Sequence, residues 1–352
     1  MAYTTINDPT KHFNTVLYTG DDASTRNITG VGHQPDWVWI KNRGYANKHV
    51  LFDSVRGVNK SLTSNNNAAE VNQNSDGGYL SAFNSDGFTL TEGSSSDNDT
   101  NDDRYTYVAW NWKAGGSASS NSDGSITSSV SANTTAGFSI VSYTGTGSNA
   151  TVGHGLGAVP KMIFFKDRET SVDWGVYAEP NGNTKEMYLS TTDAAGTNTN
   201  AFNSTTPTSS VFTIGTSSRY NPSSKGVIAY CFADVKGYLK IGSYTGNGEG
   251  SGEGPFIHIG FRPAFFLLKE TSGSDNWTLM DNKRLGYNPR NDHLFPNLAN
   301  VEYATDRIHM VSNGIKIIDN DGSINQSGST YVYLAFAESP FVNSKGVPTN
   351  AR

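Results

Sequence analysis

Apolar and polar positions fall into short runs separated by Gly, Asn, Asp and Ser, and one arrangement of them occurs three times. Gly32-His33-Gln34-Pro35-Asp36-Trp37-Val38-Trp39-Ile40-Lys41 is the first copy. Gly157-Ala158-Val159-Pro160-Lys161-Met162-Ile163-Phe164-Phe165-Lys166 and Gly260-Phe261-Arg262-Pro263-Ala264-Phe265-Phe266-Leu267-Leu268-Lys269 are the others. In each, Gly precedes Pro by three positions and Lys follows Pro by six, with a largely apolar stretch between them. A strand and turn precede each copy: Phe13 to Gly20, Phe138 to Gly145 and Tyr238 to Gly246, all ending Tyr-Thr-Gly. From that Tyr to the following Pro is 17, 17 and 19 residues, so the spacing repeats with the pattern.

Further along each unit, alternating stretches at Ser85 to Leu90, Ser209 to Ile214 and Ser312 to Ile317 predict half-buried strands. Apolar stretches at Tyr107 to Trp112, Gly226 to Phe232 and Tyr333 to Ala337 predict the central strand that closes the unit. The pattern therefore predicts an all-β chain of three tandem antiparallel β-sandwich or jelly-roll-like repeats with very little helix. The repeats span 12–113, 137–236 and 237–341, with an N-terminal arm at 1–11 and a C-terminal tail at 342–352. Between the first two lies 114–136, rich in Gly, Ser and Thr, which reads as a linker too poor in apolar residues to pack a core. Units one and two are expected to move independently. Units two and three, joined directly through Asp234-Val235-Lys236-Gly237, are expected to form a rigid pair, and the three in a row an elongated molecule.

Composition narrows the function. A net charge of -6 over 352 residues, with no Lys/Arg-rich run, argues against nucleic acid as a partner. The N-terminus has neither the basic nor the apolar region of a secretory signal, and no apolar run reaches membrane-spanning length. The expectation is a soluble product of the cytoplasm, without membrane insertion. Cys231 is the single cysteine and reads as a buried small hydrophobe rather than a nucleophile.

Candidate chemistry is sparse. Asp53 and Arg56 match Asp281 and Arg284 in position, each Asp lying 18 residues after its Pro, while unit two carries Val176-Tyr177-Ala178 there. A structural ion pair of modest, surface-like effect is the expected role. Asp97, Asp99, Asn101 and Asp103 alternate like the first ligands of a calcium loop, but the sixth position is Asp102 and the twelfth Val108, so a solvated hairpin tip is favoured. Asp319-Asn320-Asp321-Gly322 reads as a turn, and His33 and His154 as turn residues. Trp37 and Trp39, like Trp110 and Trp112, project to one face of a strand. They either fill the core or make a sugar-stacking platform, and the apolar residues at matching positions of the other units favour core. No zinc helix, nucleophile elbow, phosphate loop or Cys/His metal spacing is present. No catalytic residue, metal ligand or cofactor is assigned. Ligand-binding residues are sought in the loops where the copies differ: Gly44 to His49, Asn65 to Gly78, Ser94 to Asp103 and Arg284 to Asn300.

The Tyr-Thr-Gly turns, His154 to Lys166, Tyr107 to Gly115 and the ending Ala335 to Asn343 resemble a phage virion protein family of aquatic tailed phages, described as tail-fibre-like or of unknown function. The likeness spans Phe13 to Arg352. It implies a non-enzymatic protein of the virion surface, a tail fibre or receptor-binding protein, made in the host cytoplasm. Its expected partners are other tail or capsid proteins, further copies of itself in a homotrimer, and a host surface glycan. A capsid-bound head fibre or decoration protein is the alternative within virions. A polysaccharide depolymerase is the alternative from another class, and an internal assembly scaffold a third.

Overall fold

The structure is a computed structural model that describes residues 4–72, 77–93, 99–284, 288 and 292–348. Each unit is a two-layer antiparallel sandwich. In unit one the large sheet orders Phe13–Thr19, Thr106–Trp112, Trp37–Asn42, His49–Asp53, Lys60–Thr63 and Val71–Asn72, so the closing strand is central as expected. Unit three repeats this order with Leu239–Thr245, Thr330–Pro340, Phe261–Glu270, Thr278–Asp281, Asp292–Leu294 and Tyr303–Ala304. Unit two does the same with Phe138–Thr144, Gly226–Phe232, Met162–Asp167, Gly175–Ala178, Lys185–Tyr188 and Gly196–Thr197. A smaller sheet faces each: Thr25–Thr29, Gly87–Thr91 and Tyr79–Asn84 in unit one, Ala150–Gly153 with Val211–Ile214 in unit two, and Phe256–His258, Gly314–Ile317 and Ile308–Val311 in unit three. Pro35 and Pro160 stand just before their strands, whereas Pro263 lies within its strand at a bulge, where a missing N–H is tolerated.

The apolar runs of the proline strands have a direct cause. Side chains alternate between the faces of a strand. Val38 and Ile40 pack with Val50, Phe52, Leu80, Phe88 and Leu90 between the two sheets of unit one. Trp37, Trp39, Leu51, Trp110 and Trp112, on the opposite face, join a second core that also contains Phe138, Phe164, Tyr230, Phe232, Phe265, Leu267 and Phe336. Both faces are buried, and both must be apolar. The three large sheets thus share one aromatic core, in which Trp37 stacks on Tyr230 at 4.5 Å and Trp112 meets Phe265 at 5.4 Å.

This arrangement corrects three expectations. The units do not lie in a row: unit three closes back on unit one. The 114–136 segment is not a coreless linker, because Ser119–Asn121 and Ser128–Asn133 pair as a hairpin alongside Phe138–Thr144, extending that sheet to eight strands. Ala114, Ile126, Val130 and Ala136 within it are buried. The arm is not a free lead-in either. Ile6 is buried in the shared core, and Asn7 exchanges hydrogen bonds with Ser344 across the chain's two ends.

Register aligns the seams between units. Asp53 lies opposite Trp37, Ala178 opposite Met162 and Asp281 opposite Phe265, so these three positions are equivalent. Trp110, Tyr230 and Leu334 are equivalent likewise, two residues before the aromatic opposite the opening strand. The Tyr230 hydroxyl of unit two donates to Asp53 of unit one at 2.6 Å. The Trp110 indole of unit one donates to Asp281 of unit three at 2.9 Å. At the seam between units two and three the same positions are Ala178 and Leu334, both buried and apolar. A second set runs in the same sense. Trp174 donates to the Thr63 carbonyl, Trp277 donates to the Tyr188 carbonyl, both at 2.8 Å, and the equivalent His49 lies against the Phe295 backbone.

A third set carries charge. Arg168 of unit two donates to Glu70 of unit one at 2.8 Å, and Arg43 of unit one donates to Glu302 of unit three at 2.7 Å. Arg56 and Arg284 add a second guanidinium to Glu70 and Glu302, at 3.3 and 3.0 Å. Between units two and three these positions are Thr271 and Ala195, joined only through their backbones at 2.9 Å. Unit one is therefore held on both sides by ion clusters, and at the equivalent positions units two and three meet without charge. The expectation of a surface-like Asp-Arg pair is overturned: Asp53, Arg56, Asp281 and Arg284 are fully buried, and each Asp bonds across a seam.

Breaking a buried pair leaves an uncompensated charge, so Asp53→Ala should destabilise by about 3–5 kcal/mol in urea unfolding. Tyr230→Phe should cost about 1.5–3 kcal/mol, the worth of a hydrogen bond to a charged group. A loss below about 1 kcal/mol for Asp53→Ala would contradict the seam assignment. Acid gives a second check. Despite burial, the guanidinium hydrogen bonds hold the Glu70 and Glu302 carboxyls below their ordinary 4.5. A lowered carboxyl contributes stability that is present above its unfolded pKa and lost as pH falls through the folded value. The contribution of these two carboxylates should thus be constant above about pH 5 and fall below about 4.5, with Glu70→Gln removing part of that fall. Hydrogen exchange should show the seams of unit one opening before the neutral seam.

Candidate functional site

The Lys of the threefold motif is a loop clamp. Lys41, Lys166 and Lys269 are buried, and each amine donates to the carbonyl of the next residue and to the carbonyl four residues on. In unit one these acceptors are Asn42 at 2.6 Å and Tyr45 at 3.2 Å. Burial lowers Lys41 to about 7 and Lys166 and Lys269 to about 8. The Asn42 side chain accepts from the Gly44 and Tyr45 amides, at 3.0 and 2.9 Å, and completes the loop.

A buried Asn fixes the facing loop in every unit: Asn101, Asn221 and Asn325. Asn101 donates to Asp21 at 2.8 Å and accepts from Arg26 at 2.9 Å, and its carbonyl accepts from Asp22 at 3.0 Å. The Gly of Tyr-Thr-Gly lets the turn approach that loop, since a Cβ at Gly20, Gly145 or Gly246 would overlap the carbonyl of Asp102, Pro222 or Gln326. Within each large sheet these clamps lie at the strand ends opposite those where the unit connections begin and where Asn7 meets Ser344.

Held there in unit one is an exposed aromatic and charged group. Tyr45 is 45% exposed and stacks on Tyr105 with ring centroids 5.2 Å apart. The Arg104 guanidinium lies 5.4 Å from the Tyr105 centroid and is paired with Asp102. That pairing pulls Asp102 below the usual carboxylate range. Asp22, Asp102 and Asp103 bring carboxylate oxygens within 4.8 Å of one another, and Lys48 contacts Asp99 at 3.3 Å. Units two and three have Thr170 and Gly273 where Tyr45 stands, and Lys225 and Ser329 where Tyr105 stands. The group belongs to unit one alone. It offers a flat apolar face flanked by charged donors and acceptors, suited to the apolar face and hydroxyls of a sugar ring.

Of the loops singled out from the sequence, Gly44 to His49 supplies Tyr45 and Lys48. Ser94 to Asp103 supplies Asp99, Asn101, Asp102 and Asp103, while Asp97 lies outside the described residues. So do 73–76 of Asn65 to Gly78, and most of 285–291 within Arg284 to Asn300. Asp99, Asn101 and Asp102 are buried, so the described part, 99–103, is anchored rather than the solvated tip expected. Arg104 and Tyr105 were missed. They follow the last residue of the nominated stretch and lack any repeated pattern to mark them.

The other candidates are structural. All four paired Trp residues are buried in the shared core. Cys231 is buried, which pushes its thiol up and away from nucleophilic use. His33 contacts the Thr10 carbonyl at 2.8 Å and His154 the Thr208 carbonyl at 3.1 Å, and burial lowers both. Asp321 caps a one-turn helix, Gly322–Asn325, and pairs with Arg307; despite burial its carboxyl is held at about 2. A cleft of about 510 Å³ opens between His12, Gln34, Asp36, Lys113 and Asn133. Its buried carboxylate, Asp36, accepts from Ser54 and from the Ala114 and Gly116 amides at 2.8–3.3 Å, which tethers the connection to unit two.

No curated protein matches the chain. A single family spans residues 8–340, covering all three units and their seams, and the chain belongs to it: the family described as a domain of unknown function, DUF7483.

Proposed function

We propose that the protein is a non-enzymatic component of a phage virion surface that attaches to the host, with the Tyr45-Tyr105-Arg104 group of unit one contacting a cell-surface glycan. The observation that carries this reading is the contrast between one body closed by repeated seams and an exposed aromatic and charged group of unit one that units two and three do not share. Packing accounts for what the three units have in common; this group is where unit one departs from them. The sequence resemblance to phage virion proteins supplies the setting. The unit connections begin at the opposite strand ends, which leaves the loops that carry this group free to face outward while the other end docks on the particle. A homotrimer is not required by this reading, since three sandwiches are already closed within one chain.

Two measurements test it. Immunogold labelling of particles should decorate the outer surface, and purified protein should compete with phage for adsorption to the host. Tyr45→Ala, at a surface position expected to change stability by no more than about 0.5 kcal/mol, and Arg104→Lys, which keeps a cation beside the buried Asp102, should each weaken cell binding at least tenfold. Cell binding that survives both substitutions unchanged would remove the platform, and absence of the protein from particles would remove the virion assignment. Release of reducing ends from host polysaccharide would instead favour an enzyme.

A further inference from the structure

One position at the seams changes its chemistry from unit to unit. Opposite the clamp lysine of each large sheet stands a ring that reaches a neighbouring unit: Trp174 in unit two, Trp277 in unit three and His49 in unit one. Trp174 and Trp277 donate to the Thr63 and Tyr188 carbonyls through indoles that do not titrate. His49 is fully buried against the Phe295 backbone, at the seam between units one and three. Those two units have no direct chain connection, so their seam is held by side chains and backbone contacts alone.

Hydrogen bonding fixes the protonation state of this imidazole. Trp39 donates its indole N–H to His49 Nδ1 at 3.0 Å, so Nδ1 is the bare nitrogen and the single hydrogen sits on the buried Nε2. A second proton has to land on Nδ1, where it would oppose the Trp39 N–H instead of accepting from it. The charges around the ring oppose it as well. Lys41 lies directly across the strand pair and Arg284 reaches in from unit three. Burial first, and then these two cations, push the His49 pKa well below its ordinary 6.5. The nearby carboxylates are already engaged, Asp281 by Trp110 and Arg284, and Glu302 by Arg43 and Arg284. Lys48, the preceding residue, turns to Asp99 at 3.3 Å, and Trp110, stacked with its centroid 6.5 Å from the imidazole, is uncharged.

We propose that His49 is an acid-operated latch: mild acidification loosens the seam between units one and three and leaves the seams closed by Trp174 and Trp277 shut. In the loosened seam the imidazole meets water and takes up a proton, which the closed seam denies it. The closed seam therefore keeps its full stability above about pH 6.5 and loses it below, roughly tenfold in the closed-to-open ratio per pH unit. Lys41, lowered to about 7, is charged before this window is entered. Glu70 and Glu302, held below 4.5, titrate beneath it. What the loosening uncovers is aromatic, since Trp110 and Trp112 lie 6.2 and 5.4 Å from Phe265 of unit three. The latch acts on closure of the body and stands apart from the glycan reading.

Indole hydrogen exchange, followed in the intact protein from pH 7 to pH 5 and corrected for intrinsic rates, tests it. Opening at the Trp39 indole, bound to His49, and at the Trp110 indole, bound to Asp281 across the seam, should rise roughly tenfold per unit below pH 6.5. The Trp174 and Trp277 indoles should hold constant. His49→Gln keeps a neutral donor and acceptor in the slot and should abolish the acid response at Trp110. His49→Trp, which copies the other two seams, should do the same. A flat Trp110 response in the unaltered protein would overturn the proposal, as would an acid response that persists in His49→Gln. So would an equal rise at all four indoles, because the other buried histidines, His33, His154 and His293, would then be loosening the whole molecule.

Discussion

The architecture depends on burying both faces of three large sheets at once. A sandwich ordinarily presents one apolar face inward and one polar face to water. Here the outward face of each large sheet carries Trp, Phe, Tyr, Met and Leu, and the only place to bury it is against the other two units. Each unit on its own would expose a broad aromatic surface, so the units are parts of one body. Seams follow from this demand. Tyr230 and Trp110, which carry polar groups into the common core, each meet a carboxylate from the next unit, because an unpaired charge there costs more than the bond returns.

The seams also show how one geometric slot accepts different chemistry when both occupants change together. Asp53 and Asp281 each receive a donor, Tyr230 and Trp110. Where unit two has Ala178, unit three has Leu334, and where Glu70 and Glu302 meet Arg168 and Arg43 there are Ala195 and Thr271. Either solution leaves no orphaned charge. The neutral seam joins the two units whose covalent connection is short, and the charged seams hold unit one, whose connection to unit two is long. Ion pairs with fixed geometry contribute orientation as well as attraction, which suits contacts that the chain itself constrains least.

Much of this fold was legible in the sequence because its signals are local. Turn glycines, strand lengths and the spacing from Tyr to Pro are set within a unit, so three copies betray them. Closure is not local, but its trace was present: Trp37 to Ile40, Met162 to Phe165 and Phe265 to Leu268 lack the polar alternation of a sheet with one wet face. The missing Asp at Ala178 was visible too, but its meaning needed Leu334, far away in the sequence. The 114–136 segment was misjudged because its polarity suggested solvent. A sheet-edge hairpin takes much of its stability from backbone hydrogen bonds, which composition does not record. At the loop end, Tyr45 fell within a nominated stretch, whereas Arg104 and Tyr105 gain significance only by lying beside it in space.

Closure also sets an order of events during synthesis. Trp110 must wait for Asp281, 171 residues later in the chain, before its indole finds its acceptor. At a translation rate of about 5–20 residues per second, that delay is roughly 10–30 s. Throughout it, unit one holds its Trp-rich face without the neighbours that cover it in the finished molecule. The same aromatic face that welds the three units together is therefore an aggregation-prone surface of the nascent chain, and a chaperone that shields it would govern yield more than any property of the completed fold.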